Sequence, residues 1–193
     1  HVVEEAIEAG ITEIIFITRS GKEAIENHFD ANYELEHRLE LSGKKKILKT
    51  IKNVLPKNIK ISSIRQDNAL GLGHAIMCAK HLIKDDYFAV LLPDEIIEDK
   101  FQFKHMTNQW RETNTGQVMV ERVPRSEVSN YGVVDILQRK ISSNRTVPIH
   151  RLVEKPSSRQ APSNLRIVGR YILPRSIFDI LKDARAGKDG EIQ

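Results

Sequence analysis

Gln66 opens the stretch RQDNALGLGHAIMCAK, in which Gly71 and Gly73 flank Leu72 where a β-branched run gives way to an apolar, helix-like one. A glutamine amide offers a donor and an acceptor together, which matches the edge of a pyrimidine ring, and glycines just after it let backbone N–H groups approach a flat ligand. The same glycines equally suit a plain strand-to-helix turn, because an isolated GLG is a weak signal. Asp94 directly follows AVLLP. Its carboxylate therefore leaves an apolar run where Mg²⁺ can bridge it to phosphate oxygens, or it serves as an N-cap or turn aspartate. Glu154-Lys155-Pro156 ends HRLVEKP. A carboxylate there can accept from two neighbouring sugar hydroxyls, and the adjacent ammonium can reach a phosphate; plain surface charge is the alternative. Tyr131-Gly132 either brings backbone close to a ring-shaped ligand or simply turns the chain into VVDIL.

Other chemistries find little support. His74 and His81 are spaced to share a helix face, but no third ligand accompanies them and a metal site there is not expected. There is no G-x-S-x-G, no Walker A loop and no cysteine–histidine pattern. Cys78 is the only cysteine, so no internal disulfide framework can form, and a reducing, cytoplasmic setting is the natural reading. Lys and Arg exceed Asp and Glu by 30 to 26. So small an excess suits phosphate-bearing small molecules better than duplex DNA, and no nucleic-acid partner is expected. No apolar run approaches the roughly 18 residues of a membrane span, and no membrane partner is expected either.

The elements that must position these residues alternate. VVEEAIEAG reads as a helix stopped by Gly10, ITEIIFITRS as a buried strand, and GKEAIENHFD as a second helix. Residues 32–55 form two helices or one broken helix, with Lys44, Lys45 and Lys46 between its halves as a solvated face or turn rather than an anion site. IKISSIRQ, GHAIMCAKHLI and YFAVLLPD follow as strand, helix and strand, then FKHMTNQWRETN and GQVMVERV as helix and strand, so residues 1–123 alternate as an α/β sheet with parallel strands requires. Short β-like pieces, YGVVDIL, HRLVEKP and RIVGRYIL, then predict a mixed or antiparallel extension. Pro174 stands at the first position of a closing helix, PRSIFDILKDA. In such sheets ligands collect beyond the carboxyl ends of the strands, where Gln66 and Asp94 both fall.

AGITEIIFIT, IENHFD, RQDNALGLGHA, LLPDEI, YGVVD, VEKP, APSNLRIVGRYIL and the terminal GEIQ occur in one order along the 193 residues. In that order the chain resembles the sugar nucleotidyltransferase family, in particular its bacterial UDP-glucose pyrophosphorylases. The resemblance implies an α/β, Rossmann-like nucleotidyltransferase fold, a mostly parallel mixed sheet flanked by helices with a β-rich sugar-binding extension. It further implies uridylyl transfer from UTP to glucose 1-phosphate, giving UDP-glucose and pyrophosphate, with Mg²⁺ as cofactor. Carried over residue by residue, it gives Gln66 and Gly71 to the uracil, Asp94 to Mg²⁺, Gly132 and Glu154 to the glucose, Lys155 to the phosphates, and Ile167 to a backbone contact with the sugar; Asp94 and Lys155 are the catalytic positions. These residues are expected on one rim of a twisted sheet. A thymidylyl- or cytidylyltransferase of the same fold, and a noncatalytic nucleotide-sugar binding module, are the alternatives.

The family's G-x-G-T-R loop is expected before residue 1 and a second metal-binding aspartate beyond residue 193. The sequence is accordingly read as a single nucleotidyltransferase domain truncated at both ends and inactive or nearly so alone, with residues 1–123 as its nucleotide-binding part and 124–193 as its sugar-binding part. A cytoplasmic homo-oligomer is expected.

Overall fold

The apolar periodicities fix the order of the elements. The structure, a computed structural model, describes residues 1–138, 141–184 and 192. In chain order its elements are α1 (Val2–Glu8), β1 (Glu13–Thr18), α2 (Glu23–Phe29), α3 (Tyr33–Leu41), α4 (Lys45–Lys52), β2 (Lys60–Arg65), α5 (Leu72–Cys78), β3 (Tyr87–Leu91), α6 (Gln102–Thr113), β4 (Gln117–Arg122), β5 (Gly132–Ile136), β6 (Ile149–Glu154), β7 (Leu165–Pro174) and α7 (Ile177–Asp183). They belong to two compact units that interleave in sequence, His1–Gly10 with Lys84–Ile177 and Ile11–Ile83 with Phe178–Gln193. Residues 1–123 contribute to both. No helix among the described residues is long and apolar enough to cross a membrane.

In the unit holding residues 11–83, β1 and β2 form a parallel ladder in register from Glu13 opposite Lys60 to Thr18 opposite Arg65. A parallel pair needs a long crossover, and α2, α3 and α4 supply it. Residues 32–55 are two helices: Asn32 caps α3 by accepting from the Leu35 N–H at 3.0 Å, and Gly43, at φ +68°, makes the turn into α4. Lys44 caps α4 while Lys45 and Lys46 stand exposed in its first turn. Leu39, Ala79, Phe178 and Leu181 are the buried apolar residues here. His81 lies past the end of α5, so it shares no helix face with His74.

In the unit holding residues 84–177, β3, β7, β5 and β6 are neighbours in that order, and β4 also pairs with β7. Both β3 and β4 run antiparallel to β7, so they share one direction as the alternating pattern requires, but β7 lies between them. The physical reason lies in β7 itself. Its ten residues are buried or half-buried throughout, as befits a strand whose edges are paired with β3, β4 and β5. Pro174 is the last residue of β7, paired with Tyr87, and the helix starts only at Ile177. A proline ending a strand forfeits no ladder bond, which makes that place as acceptable as a first helical turn. Val123, Val128, Val133 and Ala161 form a buried cluster with Tyr131 packed against it, and Phe103 is fully buried on α6.

Gly169 is where β7 meets the end of β3 most closely: a Cβ there would lie 2.7 Å from the Leu92 Cβ. A Gly169→Ala protein should lose about 1–3 kcal/mol through overpacking. Urea unfolding should show a lowered midpoint at unchanged slope, and an unshifted midpoint would contradict the contact.

Candidate active site

Gln66 directly follows β2, and Gly71 caps the N-terminus of α5 at φ +90°, a backbone region open to glycine at little cost. The structure brings the two together: the Gln66 amide nitrogen donates to the Gly71 carbonyl at 3.3 Å and lies 2.9 Å from His74 Nδ1. Both amide hydrogens are thus engaged, and the Gln66 oxygen is the group the amide presents to a ligand. Gly73 has a separate reason to lack a side chain. Its N–H donates to the Ile192 carbonyl at 2.8 Å, and a Cβ would lie 2.7 Å from Ile192 Cγ2. Of the GEIQ stretch, only Ile192 falls within the described residues.

Beside Gln66, a cavity of about 260 Å³ is lined by Arg19, Ser20, Arg65, Gln66, Asp67 and Ala69. It opens at the carboxyl ends of the parallel strands β1 and β2, where α/β sheets take up ligands. Sequence reasoning passed over Arg19 and Arg65. Their place as the residues ending or following the two β-branched runs was the available signal.

The other unit gathers Gly132, Glu154 and Ile167. Gly132 and Glu154 are opposite each other on β5 and β6. A Cβ on Gly132 would lie 3.0 Å from the Glu154 carboxylate and 3.1 Å from Ile167 Cδ1, so the glycine leaves a side-chain-free wall between an acid and an apolar group. Lys155 follows at φ +42°, with its N–H donating to the Tyr131 carbonyl at 3.1 Å and its ammonium 3.8 Å from Glu154 Oε1. A left-handed conformation costs a non-glycine residue about 1–3 kcal/mol. Glycine would avoid that cost; lysine at this turn supplies a cation instead.

Asp94 stands exposed just past β3. Among the described residues no hydrogen bond or ion pair occupies its carboxylate, and no group of three or more His, Cys, Asp or Glu side chains is placed to hold a metal ion. One available carboxylate suits Mg²⁺, which keeps waters and binds through one or two carboxylates plus substrate phosphates. Glu95 is engaged differently: its carboxylate lies 3.3 Å from Arg166 Nη1 and accepts from the Gly169 N–H at 3.4 Å. Arg166 also binds Glu121 at 2.7 Å and lies 4.8 Å from the Tyr131 ring centroid, bracing the residue before Gly132.

Tyr171 reports the field of these acids. Burial first, then the negative charges of Glu95, Glu154 and Asp94, push its phenol above the ordinary tyrosine value. A raised folded-state value means that its stabilising contribution is complete below about pH 10 and is lost as pH rises through the raised value. In an alkaline spectrophotometric titration, one of the four tyrosines should ionise late. Tyr171→Phe should remove that late step and Glu154→Gln should bring it earlier; an unchanged titration in both variants would contradict this placement.

Residues 1–192 match the family model described as nucleotidyl transferase. The chain is 42% identical over 199 aligned residues to the UTP–glucose-1-phosphate uridylyltransferase of Haemophilus ducreyi, covering all of this chain and 68% of that protein. It is 41% identical to the enzyme of the same name from Escherichia coli K12, covering 65% of it. A solved structure of UTP-bound UGPase from Acinetobacter baumannii superposes with a TM-score of 0.91 at 40% identity, over all of this chain and 66% of that one. The chain thus spans about two thirds of the length of these relatives. With its whole described length matched in both sequence and fold, the chain belongs to the nucleotidyl transferase family, with UTP–glucose-1-phosphate uridylyltransferases among its relatives.

Proposed function

We propose that the protein transfers a uridylyl group from UTP to glucose 1-phosphate, giving UDP-glucose and pyrophosphate. The observation that carries this reading is the Gly132 wall, where a glycine, the Glu154 carboxylate and Ile167 converge beside the Lys155 ammonium. A carboxylate beside open backbone suits vicinal sugar hydroxyls, and the neighbouring cation suits the phosphate such a sugar carries. Gln66 and Gly71 are the residues for the uracil, and Asp94 is the residue for Mg²⁺. The nucleotide-binding part is assigned to residues 1–123 and the sugar-binding part to 124–193.

The chemistry needs no general base. A phosphate oxygen of glucose 1-phosphate is already ionised at neutral pH, so its attack on the α-phosphorus of UTP requires alignment and charge neutralisation. The new O–P bond forms as the bond to pyrophosphate breaks, and the electron pair leaves with pyrophosphate. Lys155 meets charge on the phosphates, while Glu154 and the Gly132 wall orient the sugar. When bound, Mg²⁺ would neutralise phosphate oxygens, and Asp94 is the side chain that would hold it.

With the full-length protein, Mg²⁺, UTP and glucose 1-phosphate, pyrophosphate release should exceed that seen with dTTP or CTP. Asp94→Asn should lower kcat about 100-fold, a loss of about 2.7 kcal/mol of transition-state stabilisation. Glu154→Gln should mainly raise the KM for glucose 1-phosphate, about tenfold. Preference for dTTP or CTP would reassign the base. UDP-glucose binding with no Mg²⁺-dependent turnover, and no effect of Asp94→Asn, would make the protein a binding module.

A further inference from the structure

Arg170 in β7 and Glu5 in α1 are both fully buried, and neither has a place in the site described above. The five N–H donors of the guanidinium are all committed. Nε and Nη2 donate to the two oxygens of Glu5 at 2.9 and 2.8 Å, Nη2 also donates to the Glu95 carbonyl at 2.9 Å, and Nη1 donates to the carbonyls of Leu92 and Gly169 at 2.9 and 3.0 Å. Leu92 and Glu95 bracket Pro93-Asp94, so one planar cation grips both ends of the turn that presents Asp94. The Leu92 N–H returns to the Gly169 carbonyl at 2.8 Å and closes the turn against β7.

A buried ion pair is weak support for stability, since well-packed apolar residues of the same volume often serve as well. Its rigid fork does something those residues cannot: it answers the Leu92 and Glu95 carbonyls, which lie past the end of β3, and fixes their directions. We infer that Arg170, oriented by Glu5, is a positioning residue that holds the Leu92–Glu95 turn and thereby sets the place of the Asp94 carboxylate. The inference rests on the role proposed for Asp94.

The test uses the full-length protein carrying Glu5→Leu together with Arg170→Met, so that neither charge is left buried without the other. Arg170→Lys, which keeps a cation beside Glu5 but not the fork, serves where the double variant does not fold. Amide hydrogen exchange at Leu92, whose N–H is bonded to the Gly169 carbonyl, should quicken about tenfold while exchange in α5 stays at the parent rate. Turnover should fall about 100-fold, as expected for a displaced reacting group, with the KM for glucose 1-phosphate within about twofold of the parent value. Introduced into Asp94→Asn, the same changes should lower kcat no further, because both act through one carboxylate. Parent-like exchange and turnover in a folded variant would overturn the inference, as would a loss that adds in full to that of Asp94→Asn. Full turnover by Asp94→Asn alone would overturn the role of Asp94 and the catalytic half of the inference with it; exchange at the turn separately decides whether the grip itself exists.

Discussion

A guanidinium sealed from water requires every N–H to find an acceptor, and around Arg170 that requirement ties together α1, β3, β7 and the turn after β3. Removing a charge from water costs several kcal/mol, recovered only with good geometry and with the remaining donors satisfied. The local architecture follows from that condition. Glu5 must face inward, so α1 buries Ala6, with Ala9 buried at its C-cap, and packs on α6. Gly169 must lack a side chain, or Leu92 would be held off and its carbonyl would miss the guanidinium. The chain direction after β3 is therefore set by a polar contact at its end as much as by the apolar residues within it.

The two clusters of candidate ligand-binding residues, one in each unit, share a construction. A strand delivers a polar side chain at its end, Gln66 from β2 and Glu154 from β6. A glycine then supplies open backbone beside it, Gly71 through a positive φ and Gly132 through the absence of a Cβ against Glu154 and Ile167. The two glycines act by different physics. Gly71 answers a conformational demand at a helix N-cap, whereas Gly132 has ordinary strand geometry and answers a steric one. Lys155 shows the converse choice, since a side chain occupies a backbone conformation that favours glycine.

Much of this was legible in the sequence. The placement of Gln66 just past β2 followed from a β-branched, alternating run, that of Asp94 just past β3 from an apolar run that stops abruptly, and the break in residues 32–55 from Ser42-Gly43. The antiparallel extension was legible, but the place of β7 between β3 and β4 was not: an apolar run does not name its neighbours, and only long-range pairing decides. Pro174 was misplaced because its fixed φ suits a strand end as well as a first helical turn. His81 was misplaced because the apolar periodicity of residues 74–83 continues past Cys78, whereas the helical hydrogen bonding does not. The Glu5–Arg170 pair joins residues 165 positions apart. One glutamate among the three of an amphipathic helix gives no local sign that it will be fully buried.

The acids near Tyr171 pose an electrostatic problem for the proposed substrates, because Asp94, Glu95 and Glu154 together would repel phosphate. Their neighbours resolve it unequally. Arg166, partly buried and shared between Glu95 and Glu121, is charged at any working pH, and although burial opposes its charge, its acidic partners raise its value further; Glu95 is thus compensated. Lys155 lies beside Glu154 with both side chains more than half exposed, so that pair is weak and its ammonium can turn to a phosphate at small cost. Asp94 is the remaining acid, and among the described residues no cation pairs with it. In the proposed complex a triphosphate would bring negative charge toward Asp94, the one of these three acids that no side chain among the described residues compensates, and a divalent cation held by Asp94 would supply the missing positive charge.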